Sequence, residues 1–221
     1  MKIKEAREQI ARIGGMLFDR HLTDACGGNI SMRVQDRIVI SPSLSGQKRQ
    51  WQIEASDVLV VDMDGGVLKG DGSISRESNV HLGLHREFGE YGTAVIHSHP
   101  ANLMVFAALA ESMPPVLEAN LKFGDVPAVD YAPAHSVELA QNILAALRGC
   151  ESRISKHAAG VIAPWHGLFL MGKDLDAAFD AVERFDTNAR CILMARAAGM
   201  GDLLESRRHA LYDAARKFGK L

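Results

Sequence analysis

The sequence predicts an α/β domain built in layers, with a central sheet covered by helices on both faces. Two observations lead there. Strand-like and helix-like stretches interleave along the whole chain, separated by turn and capping residues. The 221 residues, 47% of them apolar and 24% charged, are also enough to bury one sizeable core. The reading is therefore a single domain over residues 1–221, with a core at about 5–198 and a charged helical tail at 199–221.

The elements follow in order. Ile3, Ile10, Ile13, Leu17 and Leu22 fall near helical spacing and predict a helix over 3–21, in which Gly14-Gly15 marks close packing. Gly27-Gly28-Asn29 is a turn into a strand at 30–34, followed by a second strand at 37–41 and a polar loop at 42–50. A β-branched run at 57–62 is a strand closed by the turn signal Asp64-Gly65-Gly66. After a loop at 69–75, a helix starts near Glu77 and buries Val80, Leu84 and Phe88. A short strand at 93–97 precedes Pro100, which suits the first turn of a helix at 101–110. A further strand is expected at 126–131. Ser136 should cap the next helix, with Glu138 favouring its dipole. Strands at 160–163 and 168–171 and a long helix at 174–198 complete the pattern.

Charge excludes some functions. Lys and Arg number 25 against 27 Asp and Glu, so no basic excess points to nucleic acid or an anionic membrane. No apolar run approaches the roughly 18 residues of a membrane span, and the charged first residues lack a secretory h-region. Cys26, Cys150 and Cys191 are too scattered for a disulfide framework. A soluble cytoplasmic protein is expected.

The sharpest chemical signal is His97-Ser98-His99-Pro100. Residues two apart on a strand share a face, so both imidazoles point the same way, as a divalent-metal pair or simply as polar residues at a strand end. His166, in the turn Pro164-Trp165-His166-Gly167, could complete a site with three imidazoles and an open position, the pattern of a catalytic metal. Glu77, at the start of its helix, could coordinate that metal and act as a general base, or only interact with the helix dipole. His81 and His85 share a helix face and are expected on a half-exposed surface. His21, His135, His157 and His209 are expected to be solvated.

Anion-binding chemistry is spread over three turns. Gly28 and Asn29, the hydroxyls around Ser43, and Ser73 with Ser75 offer backbone N–H groups, an amide and hydroxyls. Together they suit a phosphate, although each alone is an ordinary turn.

Taken in order, Gly28-Asn29-Ile30-Ser31, Ile40-Ser41-Pro42-Ser43, Ser75-Arg76-Glu77, His97-Ser98-His99-Pro100 and His166-Gly167 resemble the class II aldolase/adducin family across most of the chain. The resemblance implies a three-layer α/β/α sandwich with a mainly antiparallel sheet, assembled as a homotetramer with sites between subunits. It implies Zn2+, with Mn2+ or Co2+ as substitutes, held by His97, His99 and His166, and by Glu77 when substrate is absent. Glu77 would also be the acid/base residue, and Gly28, Asn29, Ser43 and Ser75 would hold a substrate phosphate.

The implied reaction is cleavage of a ketose 1-phosphate, of deoxy-pentulose, methylthio-pentulose or fuculose type, to dihydroxyacetone phosphate and an aldehyde. Two departures stand out. Arg76 occupies a position where aldolase members often carry Ser; it is similar to the sugar-acid decarboxylase branch, and it either grips a phosphate or carboxylate or simply points to solvent. Residues 114–124 also lack the Tyr that supplies a proton from a neighbouring subunit, leaving Asn120, Lys122 or Tyr212 to replace it. A decarboxylase, epimerase or dehydratase on the same scaffold, and a non-enzymatic adducin-like module, are the alternatives.

Overall fold

The computed structural model describes residues 1–219. Its strands are β1 (Asn29–Val34), β2 (Arg37–Ile40), β3 (Leu59–Val61), β4 (Val67–Lys69), β5 (Ala94–Ser98), β6 (Ala158–Ala163) and β7 (Gly167–Gly172). The helices are α1 (Ile3–Asp19), α2 (Ser45–Arg49), α3 (Ser78–Phe88), α4 (Leu103–Leu109), α5 (Glu118–Leu121), α6 (Val137–Leu147), α7 (Glu151–Lys156), α8 (Leu175–Ala197) and α9 (Gly201–Lys217). The strands form one sheet in the order β4-β3-β2-β1-β5-β7-β6, with every neighbouring pair antiparallel.

Alternation along the strands divides the core into layers. Ile30, Met32, Ile96, Leu168 and Leu170 face one side and pack with Ile10 and Ile13 of α1, Phe106 of α4, and Val182 and Phe185 of α8. Val95, Val161, Phe169 and Met171 face the other side and pack with Val80, Leu84 and Phe88 of α3 and Ile143 of α6. Neither sheet face could be left in water, since burying each such side chain contributes about 1.5–3 kcal/mol. The layered α/β/α architecture with an antiparallel sheet is therefore present. No helix among the described residues is long and apolar enough to cross a membrane.

Several elements depart from expectation for local reasons. Residues 126–131 form no strand, because Pro127 has no N–H to sustain a ladder. Only single bridges survive, Met113 with Val126 and Ala128 with Ile162. The 42–50 loop contains α2, entered through Leu44 in a left-handed conformation. The Asp64-Gly65-Gly66 turn leads into β4, a short exposed edge strand not anticipated from the sequence. Helix α4 starts two residues late, and Asp186 of α8 accepts hydrogen bonds from Asn102 N and Leu103 N at its start. Ser136 caps α6 as expected, accepting from Leu139 N at 3.0 Å. Gly14 packs against Trp51, which is 1% exposed.

Candidate metal and anion site

The centre of the sheet positions the candidate site. Register pairs Asn29 of β1 with His97 of β5, and His97 with Phe169 of β7. Directly opposed residues share a face, so these side chains stand in one row beneath α3 and α6. The His97 ring stacks on that of Phe169, with centroids 4.0 Å apart.

His97 Nδ1–H donates to the Leu168 carbonyl at 2.9 Å, which leaves the Nε2 lone pair facing the site. His99 Nδ1–H donates to Asp24 Oδ1 at 3.1 Å and frees its own Nε2 in the same way. His166 arrives on the short loop joining β6 to β7, where Trp165 adopts a φ of 55°. The three imidazoles offer ligand atoms within 4.8 Å of one another, close enough to hold one metal ion. Nε2 of His97 and of His99 are buried without a hydrogen-bond partner among the described residues. An orphaned buried acceptor is costly, and two of them aimed at one point fit a cation. Burial, together with His99 and His166, pushes the His97 pKa down to about 3 despite Glu77, so the ring is neutral and can donate its lone pair.

Glu77 is the N-cap of α3 and is 6% exposed. Its carboxylate oxygens lie 2.6 Å from His166 Nε2 and 3.3 Å from His97 Nε2, so it shares the space into which the imidazoles point. Burial raises its pKa, but His97, His166 and the Asn29 amide outweigh burial and hold the carboxyl well below the usual carboxylate range. Glu77 is therefore ionised at neutral pH.

A cavity of about 420 Å³ opens over this group, and Gly28, Asn29, Ser43, Ser75, Arg76 and Glu77 all line it along with the three histidines. The separate turns meet because β1 follows the Gly27-Gly28 turn, while Ser43 N–H donates to the Ser73 carbonyl at 2.9 Å and ties the 42–50 and 69–75 loops together. Both amide hydrogens of Asn29 are engaged, one by Ser75 Oγ at 3.0 Å and one by Glu77 Oε2 at 2.9 Å, so an anion there would take over one of these bonds. Arg76 is exposed and has no ion-pair partner among the described residues. Asn120, Lys122 and Tyr212 do not line this cavity; Asn120 is buried and donates to the Arg184 carbonyl.

The glycines are required by geometry. Gly28 has a φ of +96°, which side chains rarely tolerate, and a Cβ on Gly27 would lie 2.3 Å from His99 Cε1. Gly27→Ala is expected to push His99 out of line and weaken metal affinity by about 10–100-fold, the range seen when groups supporting a ligand are lost. Competition against a chromogenic chelator measures this, and unchanged affinity would show that His99 is not held by this contact.

Residues 8–193 match the family model of the class II aldolase and adducin N-terminal domain. This chain belongs to that family. An L-fuculose phosphate aldolase from Methanococcus maripaludis is 30% identical over 78% of this chain and 87% of its own length. A 5-deoxy-D-ribulose 1-phosphate aldolase from Bacillus thuringiensis is 27% identical over 99% of this chain and 97% of its own. A solved L-fuculose 1-phosphate aldolase superposes with a TM-score of 0.78 at 25% identity, covering 94% of this chain and 96% of that one.

Some parts of this class II aldolase/adducin site could not be anticipated from residue types. Asp24, the partner of His99, also accepts from Cys26 N and Gly27 N; its only sequence signal is an acidic residue just before a glycine turn. His135 reaches to 3.9 Å from Glu77 Oε1 at the cavity wall, closer to the chemistry than a simply solvated histidine would be. The placement of His81 and His85 on a half-exposed surface is corrected: both are 0% exposed. They turn inward because Ser31 of β1 receives both rings, with Oγ 2.7 Å from His81 Nδ1 and 2.7 Å from His85 Nε2. Burial lowers their pKa values to about 4 and about 3, so both are neutral.

Proposed function

We propose that the protein is a divalent-metal-dependent aldolase that cleaves a ketose 1-phosphate to dihydroxyacetone phosphate and an aldehyde. The observation that carries this reading is the convergence of three imidazoles and one ionised, buried carboxylate at the floor of a cavity rimmed by hydroxyls and glycine-turn amides. We assign His97, His99 and His166 as ligands and zinc as the ion, since three nitrogen donors with room for another ligand suit zinc, and manganese or cobalt can take the same donors. The chemistry such a cation supplies when bound is Lewis-acid stabilisation of the negative charge that carbon–carbon cleavage develops.

The chain's own residues supply the rest. Asn29, Ser43 and Ser75, with backbone N–H groups near Gly28, seat the phosphate and fix the scissile bond relative to Glu77. Glu77 accepts the proton of the hydroxyl that becomes the aldehyde oxygen as the C3–C4 bond breaks. It then returns that proton to C3 of the enediolate, which yields dihydroxyacetone phosphate. Trp165 lines the cavity beside His166, backed edge-on by Tyr131 at 5.0 Å, and its apolar surface suits the methyl or methylthio end of a deoxy- or methylthio-pentulose. The names of the relatives support the same substrate class. The working form on this reading is a homotetramer.

Arg76 favours one second reading. A free guanidinium on the cavity wall suits a carboxylate, and so a decarboxylase of a phosphorylated oxo sugar acid. One experiment separates the two. Protein loaded with zinc, manganese or cobalt is incubated with a panel of ketose 1-phosphates and phosphorylated oxo acids. Triose phosphate release is expected. Its absence with every metal ends the aldolase reading, and carbon dioxide release would move the assignment to the second.

A further inference from the structure

A line of buried polar groups runs away from Glu77 into the interior. Asn29 Nδ2 donates to Glu77 Oε2 at 2.9 Å, and Asn29 Oδ1 lies 2.5 Å from His81 Nε2. Beyond His81, Ser31 Oγ lies 2.7 Å from His81 Nδ1 and 2.7 Å from His85 Nε2. Glu77, His81 and His85 recur every four residues along α3, so one stripe of that helix carries the carboxylate and both rings over β1. Asn29, Ser31, His81 and His85 are each at most 4% exposed.

Counting hydrogens leaves one arrangement. The Asn29 NH2 donates to Ser75 Oγ and to Glu77 Oε2, which turns the amide oxygen toward His81 Nε2. That oxygen needs a donor, which makes His81 an Nε2–H tautomer with a bare Nδ1. Ser31 has a single hydroxyl hydrogen, and it goes to that bare nitrogen. The remaining lone pairs of Ser31 then require an N–H from His85 Nε2. The line ends there, because His85 Nδ1 has no partner among the described residues. Every donor points the same way, toward Glu77.

We propose that His81 is a positioning residue: held in one tautomer by Ser31 and His85, it fixes which way the Asn29 amide faces and so presents an N–H to Glu77. The proposal rests on the reading of Glu77 as the proton-exchanging group. Without His81 the Asn29 oxygen loses its buried donor, the amide is free to rotate, and its oxygen can face the carboxylate. The rate then falls through Glu77 orientation, phosphate affinity weakens with the rotated Asn29 amide, and the three imidazoles keep their hold on zinc.

The test uses the zinc-loaded protein. Histidine 15N NMR should give the Nε2–H pattern for both His81 and His85, assigned by their loss in His81→Phe and His85→Phe. In steady-state assays His81→Phe should lower kcat by about 10–100-fold and raise KM, with zinc content unchanged. His81→Gln, which keeps an N–H directed at Asn29 Oδ1, should recover most of that loss. If His81→Phe does not fold, Ser31→Ala removes the hydroxyl at no cost in ring volume and should abolish the single tautomer pattern at His81 while lowering kcat. An Nδ1–H pattern at His81 in the parent protein overturns the proposal, as does wild-type kcat in His81→Phe, or a His81→Gln variant no better than His81→Phe. The NMR arm needs no turnover, so a failed aldolase assay and a failed relay give different results.

Discussion

His99→Ala is expected to remove bound zinc and at least about 10³-fold of the aldolase turnover together, because a cation's charge stabilisation is worth several kcal/mol and each 1.4 kcal/mol is about tenfold. Of the HxH pair, His99 is the proposed ligand whose loss the fold better survives. Its side chain is 10% exposed and its orienting partner, Asp24, is 51% exposed. His97 is fully buried against Phe169, so truncating it would also open a hole in the core. Zinc by atomic emission, circular dichroism for the fold and triose phosphate release for turnover check the expectation. A folded variant with stoichiometric zinc and parental turnover would remove His99 from the site.

Glu77→Gln separates proton exchange from metal binding. Glutamine keeps the volume and can still hydrogen-bond Asn29 and His166, while three imidazoles remain to hold the ion. It cannot accept a proton at neutral pH. Turnover is therefore expected to fall by about 10²–10⁴-fold, the usual share of a positioned general base, with zinc content retained. Exchange of the C3 hydrogen of dihydroxyacetone phosphate with deuterated solvent should fall in parallel, since it needs proton transfer but no cleavage. Retained exchange would place the proton on another group. His135, 3.9 Å from the same carboxylate, would be the first to examine.

Much of this architecture was legible because the period of the apolar residues matches the period of the element. The layered class, α1, α3, α6, α8 and most strands follow from that rule, and Ser136 marks a helix start through its cap. The 126–131 segment misled because its β-branched and aromatic content outweighed one missing N–H at Pro127. At the candidate site, His97 and His99 were readable as a pair from strand alternation alone. That His166 and Glu77 join them depends on β5 lying beside β7 and α3 crossing above, which no local pattern encodes. His81 and His85 illustrate the reverse limit. Two histidines on a helix read as a wet face unless the serine that receives them is known, and that serine is 50 positions away from His81.

The order of strands in the sheet also governs when this centre can come into being during synthesis. β1 and β7 flank β5, so the row from Asn29 through His97 to Phe169 is drawn from early, middle and late parts of the polypeptide. A ribosome must release β7 before the row can close, and until then His97 and His99 have no third imidazole beside them. On the proposed reading, the three-imidazole set is deferred to the docking of β7, a step in which long loops must be closed before their contacts form. A nascent chain stalled before residue 166 lacks one of the three proposed imidazole donors, and the full set comes together only when the central sheet is complete.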